Sequence, residues 1–249
     1  MTSPRAALLF AALTLASPAL AFRPLTTEDA EVTAPRKLDL ELGWDWSHRA
    51  DEARKSVVLG TLNYGLAPRL ELDADLNWTL MHRPQGPTVG GAGDSLFAVK
   101  GVLSAETPRL PALALRAGWK APTGDAAREL GSGDDDFLLM GAASKKWGGH
   151  SAHAMLGKVW VGRSADPTLK DYVFYGVGAD VALNKKVSVL AEVFGDGPPS
   201  TDSSDEASLR LGGIYTISER LLLDFSVRRS LKASAHYWGT SIGLTTTFF

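Results

Sequence analysis

The sequence predicts an all-β protein, an antiparallel up-and-down transmembrane β-barrel of about twelve strands with short periplasmic turns and longer extracellular loops. Three observations predict it. Hydrophobicity alternates with period two along almost the whole chain beyond residue 37, short and long connections alternate, and aromatic residues gather at the strand ends.

The first element is an export signal. Residues 1–21 carry one positive charge (Arg5), an apolar stretch from Ala6 to Ala16, and the small residues Ala19 and Ala21 in the A-x-A spacing of a cleavage site. That stretch is too short to span a bilayer as a helix, and no later window supplies about eighteen uncharged apolar residues. Residues 22–36 then form a segment ahead of the first strand, lying either in the periplasm or inside the lumen. The barrel is expected to occupy residues 37–249 as one domain.

Strand one reads Leu38, Leu40, Leu42, Trp44 and Trp46 on one face, with Asp39, Glu41, Gly43, Asp45 and Ser47 on the other. Strand three repeats this with Leu70, Leu72, Ala74, Leu76, Trp78 and Leu80 opposite Glu71, Asp73, Asp75 and Asn77. A helix would scatter such residues around its circumference, whereas a strand sorts them into two faces. The same criterion places strands at 37–48, 55–65, 69–81, 94–105, 112–122, 136–146, 151–162, 172–182, 187–195, 207–216, 221–229 and 236–249. Tight turns fall near Ala67-Pro68, Lys146 to His150, Asn184-Lys185 and Ser218-Glu219, with a somewhat longer one at Thr107 to Pro111. Longer polar loops lie at 83–93, 122–135, 163–171, 196–206 and 229–235.

Alternation does not say which face is buried. A soluble lipocalin-type barrel puts the apolar face inside, and a membrane barrel turns it outward to lipid. The aromatic residues favour the second arrangement. Trp44, Trp46, Trp78, Trp119, Trp160 and Trp238 fall at the long-loop ends, and Tyr64, Tyr215 and Phe248 at the opposite ends, as two belts at the membrane–water interfaces. The last strand, Trp238 to Phe248 followed by Phe249, suits delivery to the outer-membrane assembly machinery.

These segments also resemble a known family. After the signal come Arg23-Pro24-Leu25, Glu28-Asp29 and Leu38 to Gly43. Further on are Gly93-Asp94 with Lys100, "GWKAPTGD" (Gly118 to Asp125), Gly131-Ser132-Gly133, Asp224 in "LLLDFSVRRS", and the closing "GTSIGLTTTFF". In this order they resemble the transporter-like outer-membrane family named for the phenol-degradation meta pathway. The resemblance implies a channel for small, often hydrophobic or aromatic, compounds.

Composition excludes other classes. Twenty-six basic against 28 acidic residues leave a net charge of −2, which offers no nucleic-acid footprint. The absence of cysteine removes disulfides, thiolate metal sites and thiol nucleophiles. No cofactor or metal site is expected. With the apolar face in lipid, the lumen receives Asp39, Glu41, Asp45, Glu71, Asp73 and Asp75 on two nearby strands. Lys100, Arg116, Lys120, Arg210, Asp224 and Arg228 complete the expected lining. An acid wall facing a basic wall would orient polar solutes, whereas charges that pair would fill the barrel. The expected partners are outer-membrane lipid and a small-molecule solute.

Two alternatives stay open at this level: a non-conducting structural barrel, and an outer-membrane hydrolase using His48, His82 or His236 near the long-loop ends. No serine has a recognisable nucleophile context. His150 and His153 fall on opposite faces and make a weak metal pair. The acidic loops 131–136 and 196–206 lack the spacing of a calcium loop.

Overall fold

The computed structural model describes residues 23–49, 53–82, 84, 86–163, 168–201, 203–232 and 237–249. Ala19, Ala21 and His236 lie outside the described residues, as does the whole proposed signal.

Among the described residues thirteen strands form one antiparallel sheet: β1 (Leu38–Arg49), β2 (Arg54–Ala67), β3 (Leu70–His82), β4 (Val89–Ala92), β5 (Ser95–Ser104), β6 (Ala112–Ala121), β7 (Asp136–Trp147), β8 (His150–Trp160), β9 (Tyr172–Ala182), β10 (Val187–Asp196), β11 (Glu206–Ser218), β12 (Leu221–Ser230) and β13 (Tyr237–Phe248). Each strand pairs with its sequence neighbours, except that β4 and β5 both pair with β3 and not with each other, and β1 pairs with β13, closing the sheet into a barrel. Twelve of these strands match the ranges read from sequence to within about two residues at each end.

The thirteenth, β4, lies inside what sequence suggested was a loop. β3 pairs with β4 at Trp78↔Ala92 and with β5 at Asp75↔Leu96, so two residues of β3 face three on the other side. This is a β-bulge, and β4 and β5 together serve as one wall strand. The extra residue reverses the inside–outside alternation, and Gly90 and Gly91 blur the pattern further.

The alternation settles which face is turned in. Along β3, Leu76 is 48% and Trp78 58% exposed, while Glu71 and Asp73 are 5% and 6% exposed. Exposed leucines, valines and aromatics recur on every strand of the wall except the short β4, so the barrel is inside-out relative to a soluble protein. Only a hydrocarbon surrounding satisfies such a surface, and a closed sheet is a way for backbone to cross it with every amide paired.

Turns at one end are short. Gly148-Gly149 joins β7 to β8, and Gly148 takes the positive φ of 63° that a side chain would resist. In the longer connection from β5 to β6, Glu106 accepts from Lys145 Nζ and from the Lys146 amide, which hold its carboxyl below the usual range.

Candidate functional site

The lumen is occupied. Residues 23–36 do not hang outside the barrel; they enter at the short-turn end and cross inside it, held to β1, β3, β5 to β8 and β10 to β12. Arg36 donates to the Gly65 carbonyl at the rim (2.7 Å). The Thr33 amide donates to Glu71 Oε2 (2.5 Å) and its hydroxyl to Asp39 Oδ2 (2.8 Å). The Ala30 amide donates to Ser144 Oγ (2.8 Å), and Lys100 Nζ holds both Glu28 (2.7 Å) and Asp29 (3.1 Å).

The far end of the segment is gripped by Glu192 of β10. Its two carboxylate oxygens accept from the Thr26 amide (2.7 Å), the Thr27 amide (2.8 Å) and the Thr27 hydroxyl (2.7 Å). Arg210 of β11 lies 3.1 Å from Glu192 Oε1 and also donates to the Pro24 carbonyl. The Glu192 side chain is completely buried. A buried charge costs little only when fully paired, and here the chain's own leading segment supplies the pairing. Leu25 packs on an inward cluster of Leu190, Ile214 and Leu222.

The wall is shaped for this occupant. Gly43 and Gly243 are register partners on β1 and β13, and a Cβ on either would collide with the Arg23 guanidinium. A Cβ on Gly176 would strike Thr27, and one on Gly65 the carbonyls of Thr33 and Ala34. Glycines stand where the segment approaches the backbone closely.

Beside the segment remains a cavity of about 570 Å³, with β1, β2 and β3 as its far wall. Of the twelve charged residues expected in the lumen, Asp39, Glu41, Asp45, Glu71, Asp73, Asp75, Lys100, Arg116, Arg210 and Arg228 line this cavity. Asp224 instead lies 3.7 Å from Arg23 Nε. Lys120 points inward near the long-loop end and binds Asp94 (2.7 Å), Asp136 (2.8 Å) and the Ser132 hydroxyl. Asp94 also accepts from the Gly124 and Ser132 amides at 2.9 Å, pinning the loop 122–135 against the wall.

The cations do not form a wall opposite the acids. They flank the acid strands and reach sideways. Arg116 on β6 binds Asp73 (2.8 Å) and Asp75 (3.2 Å), and Arg228 on β12 binds Asp45 (2.6 Å).

Among the interface candidates, Trp44, Trp78, Trp119, Trp160, Trp238, Tyr64, Tyr215 and Phe248 are exposed on the outer face. Trp46 is half-buried and meets the Trp238 ring edge-on at 4.8 Å.

Glu192, Ser144 and Asp180 were missed by sequence reasoning, which weighed His153 only as half of a weak metal pair. Ser144 Oγ lies 2.8 Å from His153 Nδ1, and His153 Nε2 lies 3.3 Å from Asp180 Oδ2. The residue types are those of a hydrolytic triad, but Ser144 is 1% exposed and its Oγ is capped by the Ala30 amide. The group fastens the segment to β7, β8 and β9. Each of these residues stands at an inward position with an apolar inward neighbour, Ala142, Met155, Ala182 and Leu190 respectively for Ser144, His153, Asp180 and Glu192, which was the available signal. His48 stacks beside Trp46 at 6.1 Å, and His82 contacts Thr88. Among the described residues no cluster of three or more His, Cys, Asp or Glu is placed to hold a metal.

Comparison with solved structures places this architecture. The chain is similar to the COG4313 outer membrane channel from Pseudomonas putida F1, at 13% identity and a TM-score of 0.71, covering 90% of this chain and 100% of that one. It is similar to the NanC porin (7% identity, TM-score 0.58, 82% and 98% covered) and to the CymD monoaromatic hydrocarbon channel (14%, 0.51, 86% and 89%). At such identities the likeness is one of fold, that of an outer-membrane β-barrel. No curated protein sequence matches the chain. A family model, described as "Putative MetA-pathway of phenol degradation", matches residues 21–248, and with the match running across essentially the whole barrel and its leading segment, the chain belongs to that family.

Proposed function

We propose that this protein is an outer-membrane channel through which small molecules, aromatic compounds among them, pass by passive diffusion. The passage lies between the inserted segment and the wall of β1 to β3. The observation that carries this reading is the polar cavity of about 570 Å³ left open beside the segment inside an otherwise closed barrel. Its volume suits one small solute. Family membership and the channel fold support the same reading.

Residues 1–21 serve as the export signal, cleaved after Ala21, and the final strand is the recognition element for the assembly machinery. The barrel carries out no chemistry: Ser144, His153 and Asp180 are spent on holding the segment. The lumen residues act as a wet, charged lining, and the exposed aromatics anchor the barrel at the two interfaces.

Planar-bilayer recording of the refolded chain lacking residues 1–21 tests this. Discrete conductance steps that a small aromatic solute interrupts are expected. A barrel that inserts and never conducts would replace the channel with a non-conducting structural barrel.

A further inference from the structure

The cavity's chemistry narrows the class of solute, resting on the channel reading above. We infer that it selects small organic cations, an ammonium group joined to an apolar body such as a benzyl ring, over neutral or anionic solutes of the same size.

Nine carboxylates against six cationic side chains line the cavity. Five of the six cations face carboxylates of the chain: Lys100 faces Glu28 and Asp29, Arg116 faces Asp73 and Asp75, Arg228 faces Asp45, Arg210 faces Glu192, and Arg23 faces Asp224. An anion entering here meets an excess of carboxylates and cations that already face them.

Two carboxylate oxygens, in contrast, are buried without a hydrogen-bond partner: Asp39 Oδ1 on β1 and Asp73 Oδ1 on β3. The Asp73 side chain is only 3% exposed, so bulk water does not satisfy that oxygen. The unpartnered guanidinium nitrogens Arg23 Nε, Arg210 Nε and Arg228 Nε belong to groups that already face carboxylates, Asp224, Glu192 and Asp45 respectively.

Between the two acid strands runs β2, which turns Val57 and Leu59 into the cavity. In register, Val57 stands opposite Asp45, Leu59 opposite Gly43, and Thr61 opposite Asp75. Directly paired residues of adjacent antiparallel strands are about 5 Å apart, and the next inward position about 7 Å along. Asp39 and Asp73 both stand opposite Asn63, one inward position beyond Thr61, so the unpartnered acceptors lie past one end of this apolar strip, on either side of β2. An ammonium at that end meets the acceptors while its ring lies over Thr61 toward Leu59; a neutral alcohol gains only the second contact, and a carboxylate meets repulsion.

The test compares benzylammonium, benzyl alcohol and benzoate as blockers of single channels, with the reversal potential measured in a KCl gradient. The expected results are a cation preference and block by benzylammonium at a concentration at least about ten-fold below that of either other probe, the scale of one charge-assisted hydrogen bond. Asp39→Asn, with folding checked by gel mobility before and after heating, should weaken benzylammonium block severalfold and leave benzyl alcohol unchanged. Benzoate equal to or better than benzylammonium overturns the inference, as does block that ignores Asp39→Asn in a folded barrel. A barrel that never conducts fails the channel reading instead. The three probes are then titrated calorimetrically against the detergent-refolded barrel, where a benzylammonium preference keeps the inference and its absence ends it.

Discussion

The two halves of the lumen solve one problem in opposite ways. Both present buried carboxylates on strands whose other face is apolar: Glu192 and Asp224 on β10 and β12, and Glu41, Glu71 and Asp73 on β1 and β3. In the first half the chain's own leading segment meets them. Glu192 receives three hydrogen bonds from Thr26 and Thr27, and Arg23 sits in the Gly43–Gly243 notch beside Asp224. In the second half the segment's hydrogen bonds are confined to the rim, through Thr33 and Arg36, and the acids border the cavity with Asp39 Oδ1 and Asp73 Oδ1 unpartnered. A buried charge demands a partner. The first half has an internal partner and is structural; the second is left facing the cavity.

Removing the internal partner gives the largest effect. Deleting residues 23–33 while keeping 34–37 at the rim should raise single-channel conductance severalfold, because the cross-section gains the volume of eleven residues. The barrel should still form, since its wall closes through β1–β13 and β2–β3 pairing that the segment does not join. Unchanged conductance in a folded, inserted deletion variant would mean that the segment does not bound the passage.

A matched pair of substitutions sharpens the comparison. Glu192→Ala removes the carboxylate that accepts three bonds, and Asp75→Ala removes one that accepts from Thr61 and Arg116. Losing one member of a buried charged set costs about 3–5 kcal/mol, and at Glu192 the cost falls on holding the segment. The absence of cysteine makes the readout direct, because Ala30→Cys introduces a single thiol at a position 1% exposed. That thiol should react slowly with a water-soluble maleimide in the parent barrel and in Asp75→Ala, and at least about ten-fold faster in Glu192→Ala. Equal rates in all three would place the grip elsewhere.

How far sequence foretold this molecule follows from the reach of each signal. Period-two patterning is local, so the strands and their outward face were legible from runs such as Leu70 to Leu80. The bulge at residues 93–95 escaped because one added residue reverses the alternation, and Val89 to Ala92 is too short and glycine-rich to reveal itself. The inward position of Asp73 and Lys100 followed from the same alternation. That Arg116 would turn sideways to Asp73 depended on which strand lies next to which, a matter of closure that no local window contains. The path of residues 23–36 was hidden for the same reason. A segment without hydrophobic period declares no face, and its partners Glu192, Ser144 and Asp224 lie 114 to 201 positions away in sequence. The glycines were visible but mute, because only the occupant explains why a wall strand lacks side chains at Gly43 and Gly243.

That last point supports the finest of the tests. An added methyl at Gly43 should land on the Arg23 guanidinium, whereas at Gly141, a glycine of β7 with nothing within 4 Å of the added atom, it meets open space. Arg23 is long and can swing aside, so Gly43→Ala should not eject the segment; it should cost the Arg23–Asp224 pairing and loosen only the end held beside it. A thiol placed at Leu25, which packs on Leu190, Ile214 and Leu222, reports on that end, and the thiol at Ala30 reports on the middle. Gly43→Ala should raise labelling at residue 25 by a few-fold and leave residue 30 unchanged, and Gly141→Ala should alter neither. Equal labelling in the two alanine variants would mean that the notch is incidental to the fit. A rise at both positions would show that the segment moves as one body, so that its hold is a single cooperative contact rather than the series of independent grips that the hydrogen bonds trace along it.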